Sequence, residues 1–286
     1  MIDGMSSGKL NVFHWHIIDS PSFPFESKLY PELSKEGSWG PGLKQAIYSQ
    51  EDIKTVVAHA ENRFIDVVLE LDTPAHTMSI ARAHPEVMTD CWEWMANSGY
   101  KLDVDSDDCM AMDPTSEVGR KMTTDLILEA SELSANSKYF HVGGDEVKYP
   151  CWNQSSSIRE TVQNRYGDLT DQSFAKLQAE WTANVSTAAV LKAGKIPVLW
   201  QPTVQGPGDP AWDNVLPKNS IYMIWLNQES EVAYAEAGMD VVYTTPFYVA
   251  GMGSDGWNEV HNAQIIPDGL SDEGAKHVLG AEICMW

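Results

Sequence analysis

The chain has 286 residues, 43% of them hydrophobic, which is enough for a sizeable core and is a length that α/β barrels reach as one unit. Asp and Glu number 41 against 19 Lys and Arg, and no basic stripe offsets the net charge of -22, so nucleic acid is not an expected partner. No run approaches the ~18 apolar residues of a membrane helix, and no membrane span is expected.

The first residues, "MIDGMSSGKLNVF", lack the basic and apolar blocks of a signal peptide and run directly into an apolar stretch. The last, "VLGAEICMW", stop inside another. The chain therefore reads as a fragment cut at both ends, a single domain over 1–286.

Seven short apolar runs follow one another: 9–17, 64–71, 139–146, 196–200, 220–225, 240–246 and 277–286. They are rich in Val, Ile, Phe, Tyr and Trp and do not alternate cleanly with polar residues, as expected of parallel strands buried on both faces. Helical patterns lie between them. Ile53, Val56, Val57 and Ala60 share one face behind a capping box of Ser49 and Asp52. Val118, Met122, Leu126, Ala130 and Leu133 mark a helix from about 116 to 134. Phe174, Leu177, Trp181, Val185 and Ala188 mark another that stops at Gly194. Strand-to-helix links are long and helix-to-strand links short, which places function at the carboxyl ends of the strands. Alternation of this kind predicts an α/β fold, a (β/α)8 barrel that lacks its first strand and last helix.

The polar residues at those ends are His14, His16 and Asp19, then Glu70, Asp72 and His76, then the adjacent pair Asp145 and Glu146 in "HVGGDEV". Trp200, Trp225, Tyr248 and Trp286 end the later runs. Acids with several indoles suit a sugar site, where rings stack on the apolar pyranose face. A single Trp at a strand end is more often packing, and one histidine of His14 and His16 could be an interior group. No HExxH-like spacing supports a metal, and no cofactor is expected. Cys91, Cys109, Cys151 and Cys284 are too widely spaced for a zinc ribbon or redox pair. With the sequons at Asn153 and Asn184 they favour an oxidising compartment, although such triplets also arise by chance.

In order and spacing, "KLNVFHWHIIDSPSFPFES", "LELDTPAHT", "HVGGDEV", "VLWQ" and "GAEICMW" resemble the family-20 glycoside hydrolases, the β-N-acetylhexosaminidases, with the lysosomal branch nearest. The resemblance covers essentially the whole chain. It implies an exo-acting hydrolase that removes terminal β-linked N-acetylglucosamine or N-acetylgalactosamine with retention. The substrate's acetamido oxygen would be the nucleophile, Glu146 the acid/base and Asp145 the group orienting the acetamide. By the same resemblance Asp19, His76, Trp200, Trp225, Tyr248 and Trp286 bind substrate, while His16, Asp72 and His141 support them. Cys91 and Cys151 would form a disulfide. Cys284 would be a buried thiol, and Cys109 has no assignment. Implied partners are N-acetylhexosamine-terminated glycans or chito-oligosaccharides. The implied location is lysosomal or extracellular, and the oligomeric state is left open, a homodimer included.

The chain departs from the family pattern at Ser20, where a second aspartate is usual, and at Ala250, where an acid is common. Phe247 and Ala75 stand where tryptophan and glycine are frequent. These changes leave acetamide chemistry intact and put recognition of the far side of the sugar in question. Ser20 and Ala250 motivate one rival, a catalytically weak sugar-binding protein on the same barrel; a second is a two-carboxylate glycosidase using Glu70 with Glu146.

Overall fold

The computed structural model describes residues 1–40, 45–97, 110–202, 219–248 and 256–285. It divides into two compact units, 1–197 and 198–286. In the first, strands β1 (Val12–His16), β2 (Asp66–Glu70) and β3 (Tyr139–His141) are parallel neighbours, with the helices Gln50–Glu61 and Glu117–Leu133 as their connections. Strand β4 (Ile196–Trp200) contains the division between the units. In the second, β4, β5 (Ile221–Ile224), β6 (Asp240–Tyr243) and β7 (Val278–Ala281) are again parallel and in sequential order. Seven parallel strands, each next to its sequence neighbour, are the fold class expected: seven strands of a (β/α)8 barrel.

Strands β2 to β5 are largely buried because they are apolar on both sides, whereas β1 and β7 remain partly exposed. Val67, Leu69 and Phe140 are fully buried, and the helices cover them with Ile53, Ala60, Ile127 and Phe174. The capping box forms as expected: Ser49 accepts from the backbone of Asp52, and the Asp52 carboxylate accepts from the Ser49 N–H at 2.9 Å.

Three details differ from the sequence expectation. The third strand stops at His141, not 146, because Gly143 and Gly144 adopt φ of +66° and +100° and turn the chain out of the ladder. In the helix Glu117–Leu133, Val118 faces solvent and Gly119 takes the inner position, since a side chain there would press on Val87 and Met112. In the third helical region, Thr182–Thr187 form a π turn between Asp171–Trp181 and Ala188–Lys192. That turn adds a residue to the helix, so the buried stripe passes through Ala189 and leaves Ala188 exposed.

Candidate active site

The site in the first unit grows out of strand register. His14 and His16, two apart on β1, share a face. His16 lies opposite Glu70 on β2, and Glu70 lies opposite His141 on β3. The middle strand thus sets a carboxylate among imidazoles: Glu70 Oε2 is 2.8 Å from His14 Nε2 and 2.7 Å from His16 Nδ1, and its Oε1 is 3.0 Å from His141 Nδ1. Glu70 is fully buried, which alone would raise its pKa. The surrounding His141, His16 and His14 outweigh burial and hold the carboxyl well below its ordinary range. Burial would likewise discharge His16, but Glu70 and Asp19 hold its imidazole well above the ordinary value.

From His16 the contacts continue outward. His16 Nε2 is 3.2 Å from Asp19 Oδ2, and His76 Nδ1 is 3.1 Å from Asp19 Oδ1. Asp19 is partly desolvated, yet these two imidazoles keep it well below the usual carboxylate range. Ser20, fully buried, donates its N–H to Asp19 Oδ1 at 2.5 Å, so the residue that departs from the family pattern still helps fix Asp19. His76 presents Nε2 to three further acids: Glu146 Oε2 at 3.6 Å, Asp145 Oδ2 at 3.9 Å and Asp72 Oδ2 at 4.0 Å. A continuous series results: Glu70, His16, Asp19, His76, Glu146, acid alternating with imidazole.

The adjacent pair sits on the turn after β3, and the turn depends on glycine. The Gly144 N–H donates to Asp72 Oδ1 at 2.9 Å, and a Cβ on Gly143 would lie 1.7 Å from that same oxygen. Asp72 therefore supports the turn more directly than it supports His76. His76 and Glu146 are held at φ of +54° and +50°, a left-handed conformation costly for side chains of this size. The strain falls on two residues that face each other, His76 Nε2 lying 3.6 Å from Glu146 Oε2. Asp145 is nearly buried, which raises its carboxyl above the ordinary range against the pull of His76. Its Oδ1 is a buried acceptor without a hydrogen-bond partner. Asp72 is raised as well, by burial and then by the neighbouring Asp145. Glu146 is a quarter exposed, and Lys148 Nζ lies 3.5 Å from its Oε1.

Among the described residues three groups of side chains could supply metal donors: His14 with Glu70 and His141, His16 with Glu70 and Asp72, and Asp72 with His76 and Asp145. In the first two, the imidazole–carboxylate separations of 2.7–3.0 Å are direct contacts that an ion would have to break. The same contacts remove Glu70 as a nucleophile: it is fully buried and engaged by three imidazoles. The two-carboxylate rival is set aside on that ground.

The implied disulfide is present. Cys91 and Cys151 are joined across Cα atoms 5.2 Å apart, tying the segment after β2 to the one after β3. Asn153 accepts from Arg159 at 2.9 Å through its side chain, whereas Asn184 is exposed on the π turn. In the second unit Trp200 is buried, and Trp225 donates Nε1–H to the Gln201 carbonyl at 2.7 Å. Tyr248 pairs in parallel with Cys284, a buried thiol. Trp286, Cys109 and Ala250 lie outside the described residues. The role of Glu70 as a hub was not anticipated. The signal lay in His-x-His on one strand with Glu and His at matching heights on the next two.

Among curated proteins the chain is 32% identical to the β-hexosaminidase α subunit of Bos taurus over 297 residues, covering 100% of this chain and 51% of that protein. It is 28% identical to the β-hexosaminidase β subunit of Homo sapiens over 291 residues, covering 100% and 48%. The chain thus spans about half the length of these relatives. Among solved structures it resembles a Flavobacterium johnsoniae chitobiase with a TM-score of 0.78 and 25% identity, covering 100% of this chain and 41% of that one. An exo-β-N-acetylglucosaminidase of Vibrio harveyi shares the fold at a TM-score of 0.77 and 21% identity, covering 100% and 46%. The model of the glycosyl hydrolase family 20 catalytic domain matches residues 1–286, and the chain belongs to that family.

Proposed function

We propose that the protein of which this chain forms the catalytic domain is an exo-β-N-acetylhexosaminidase that uses the substrate's own acetamide as nucleophile. The observation that carries this reading is the buried, unpartnered Oδ1 of Asp145 beside the more exposed Glu146. An acetamide N–H would satisfy that oxygen. Once it does, the carbonyl oxygen of the same group is turned toward the anomeric carbon. The amide N–H also favours the ionised Asp145, which in turn stabilises the positive charge that develops as an oxazolinium ring closes. Glu146, one residue on, protonates the glycosidic oxygen and then takes a proton from the water that opens the ring.

His76 acts as a positioning residue. Its Nδ1 faces the ionised Asp19 and its Nε2 faces Glu146 Oε2, so it orients the acid and moves charge toward it. Trp200, Trp225, Tyr248 and Trp286 are assigned to the ring and the N-acetyl group, on the family resemblance. Substrates are glycans or chito-oligosaccharides ending in N-acetylhexosamine, met in a lysosomal or extracellular setting. Among the described residues no helix is long and apolar enough to cross a membrane.

The test is the complete protein acting on matched N-acetylated and non-acetylated aryl glycosides. Only the acetylated substrate should turn over appreciably, and E146Q should lower kcat by about 10²–10⁴-fold. Equal rates on both substrates would refute the acetamide mechanism. Tight sugar binding without hydrolysis would favour the binding-protein alternative that Ser20 and Ala250 motivate.

A further inference from the structure

We infer that Lys148 is a specificity residue for the leaving group, selecting glycosides whose aglycone carries an anion close to the scissile bond. The inference rests on Glu146 being the proton donor. Its two carboxylate oxygens face different surroundings. Oε2 looks toward His76, the side shared with Asp19, Asp72 and Asp145, where the acetamide and its sugar are bound in the reading above. Oε1 looks toward Lys148 Nζ at 3.5 Å. A proton donor lies beside the glycosidic oxygen, between the sugar that is retained and the group that departs. The side of Glu146 away from His76 is therefore the side of the leaving group, and among the described residues Lys148 is a charged residue placed there.

Lys148 is delivered to this position by the backbone. It adopts extended geometry at φ -85° and ψ 95°, and its carbonyl accepts from the N–H groups of Cys151 at 2.9 Å and Trp152 at 3.3 Å. Cys151 is itself tied to Cys91, and Trp152 is fully buried. Val147, between Glu146 and Lys148, is buried as well. The stem of the lysine thus starts from a fixed point, and its ammonium is only partly exposed.

Charge makes the assignment. For Glu146 to donate a proton it must be neutral, and in that state Lys148 loses its anionic partner. A half-buried ammonium without a counter-charge attracts an anion from whatever occupies the adjoining space. The chain as a whole carries -22 and repels anions, so a lysine at this point favours them locally against the general field. A carboxylate or sulfate on the aglycone, one or two bonds beyond the glycosidic oxygen, fits that demand.

The experiment compares kcat/KM of the complete protein on 4-nitrophenyl and 3-carboxy-4-nitrophenyl N-acetyl-β-glucosaminides. The ratio of carboxylated to neutral substrate is read for wild type, K148Q and K148R, so that intrinsic leaving-group reactivity cancels. The ratio should fall about fivefold in K148Q and be retained in K148R. In the wild type, without any substitution, raising salt from about 20 mM to about 500 mM should narrow the ratio through screening. A ratio that is the same in wild type and K148Q, or insensitive to salt in the wild type, overturns the inference: Lys148 would then serve Glu146 alone, and both substrates would change together. E146Q separates this from the parent reading. If E146Q stays active, the assignment of Glu146 fails; if it is inactive while the ratio ignores Lys148, only the role of Lys148 fails.

Discussion

Among the described residues each unit buries one glutamate completely, and the two behave in opposite ways. Glu70 in the first unit touches three imidazoles and is held anionic, well below its ordinary range. Glu231 in the second, on the helix Gln228–Glu236, has neither oxygen hydrogen-bonded, and burial pushes its pKa up to about 8. Burial therefore does not decide the charge of a carboxyl; its neighbours do. Where the interior supplies cations the acid becomes part of a charged network. Where it supplies none, the acid holds its proton and behaves as a polar burden on the core.

The comparison can be broken most forcefully at Glu70. E70Q leaves buried imidazoles facing a neutral amide and should cost about 3–5 kcal/mol of stability in chemical denaturation, the range for removing one partner of a buried ion pair. Its pH dependence has a defined sign. The lowered Glu70 stabilises the fold above 4.5, an effect lost as pH falls toward the folded-state value. The raised His16 stabilises below 6.5, an effect lost as pH rises through its folded-state value. The wild type should gain most over E70Q between these limits, and a constant difference from pH 4 to 9 would show that the network is not charged.

G143A is expected next in size. The added methyl meets Asp72 Oδ1 and the backbone is left-handed, so a loss of about 3 kcal/mol is expected, with activity falling alongside it. A variant with a normal melting temperature and full turnover would mean that Asp72 moves aside freely. D145N keeps the shape of the side chain but removes the charge that the proposed mechanism sets against the acetamide. It should lower kcat/KM about 10²-fold with little change in melting, consistent with ~3 kcal/mol for one electrostatic group in a transition state.

The smallest effect belongs to Glu231, and its sign is opposite. E231L replaces an unpaired acid with an apolar side chain of similar volume and should stabilise by about 1–2 kcal/mol. A carboxyl raised in the fold contributes stability at low pH and loses it as pH climbs from 4.5 through about 8, so the gain should grow between those limits. A destabilised E231L would place an unseen partner at this carboxyl and erase the contrast with Glu70.

Much of the first unit was legible in the residues. Local rules located the capping box at Ser49, the helix beginning after Ser116 and the strand at 196–200, because these depend on neighbours within a turn or a ladder. The paired acids were legible at the end of an apolar run, but the turn that carries them was not, because the run reads as strand through 146. The Glu70 hub was not, since it depends on register between three strands separated by more than fifty residues each. Nor could the exposure of Val118 be read, because the identity of the inner face was decided by a glycine that packs against Val87 and Met112.

The π turn at Thr182–Thr187 carries one last consequence. It presents the Ser186 hydroxyl to Thr73 Oγ1 at 3.1 Å, and Thr73 follows Asp72 directly. Deleting a single residue here would restore an uninterrupted α-helix with better local bonding, yet rotate one flank by ~100° against the other and withdraw that hydroxyl. At this point a shorter chain would make a better helix and a looser seat for the residue after Asp72.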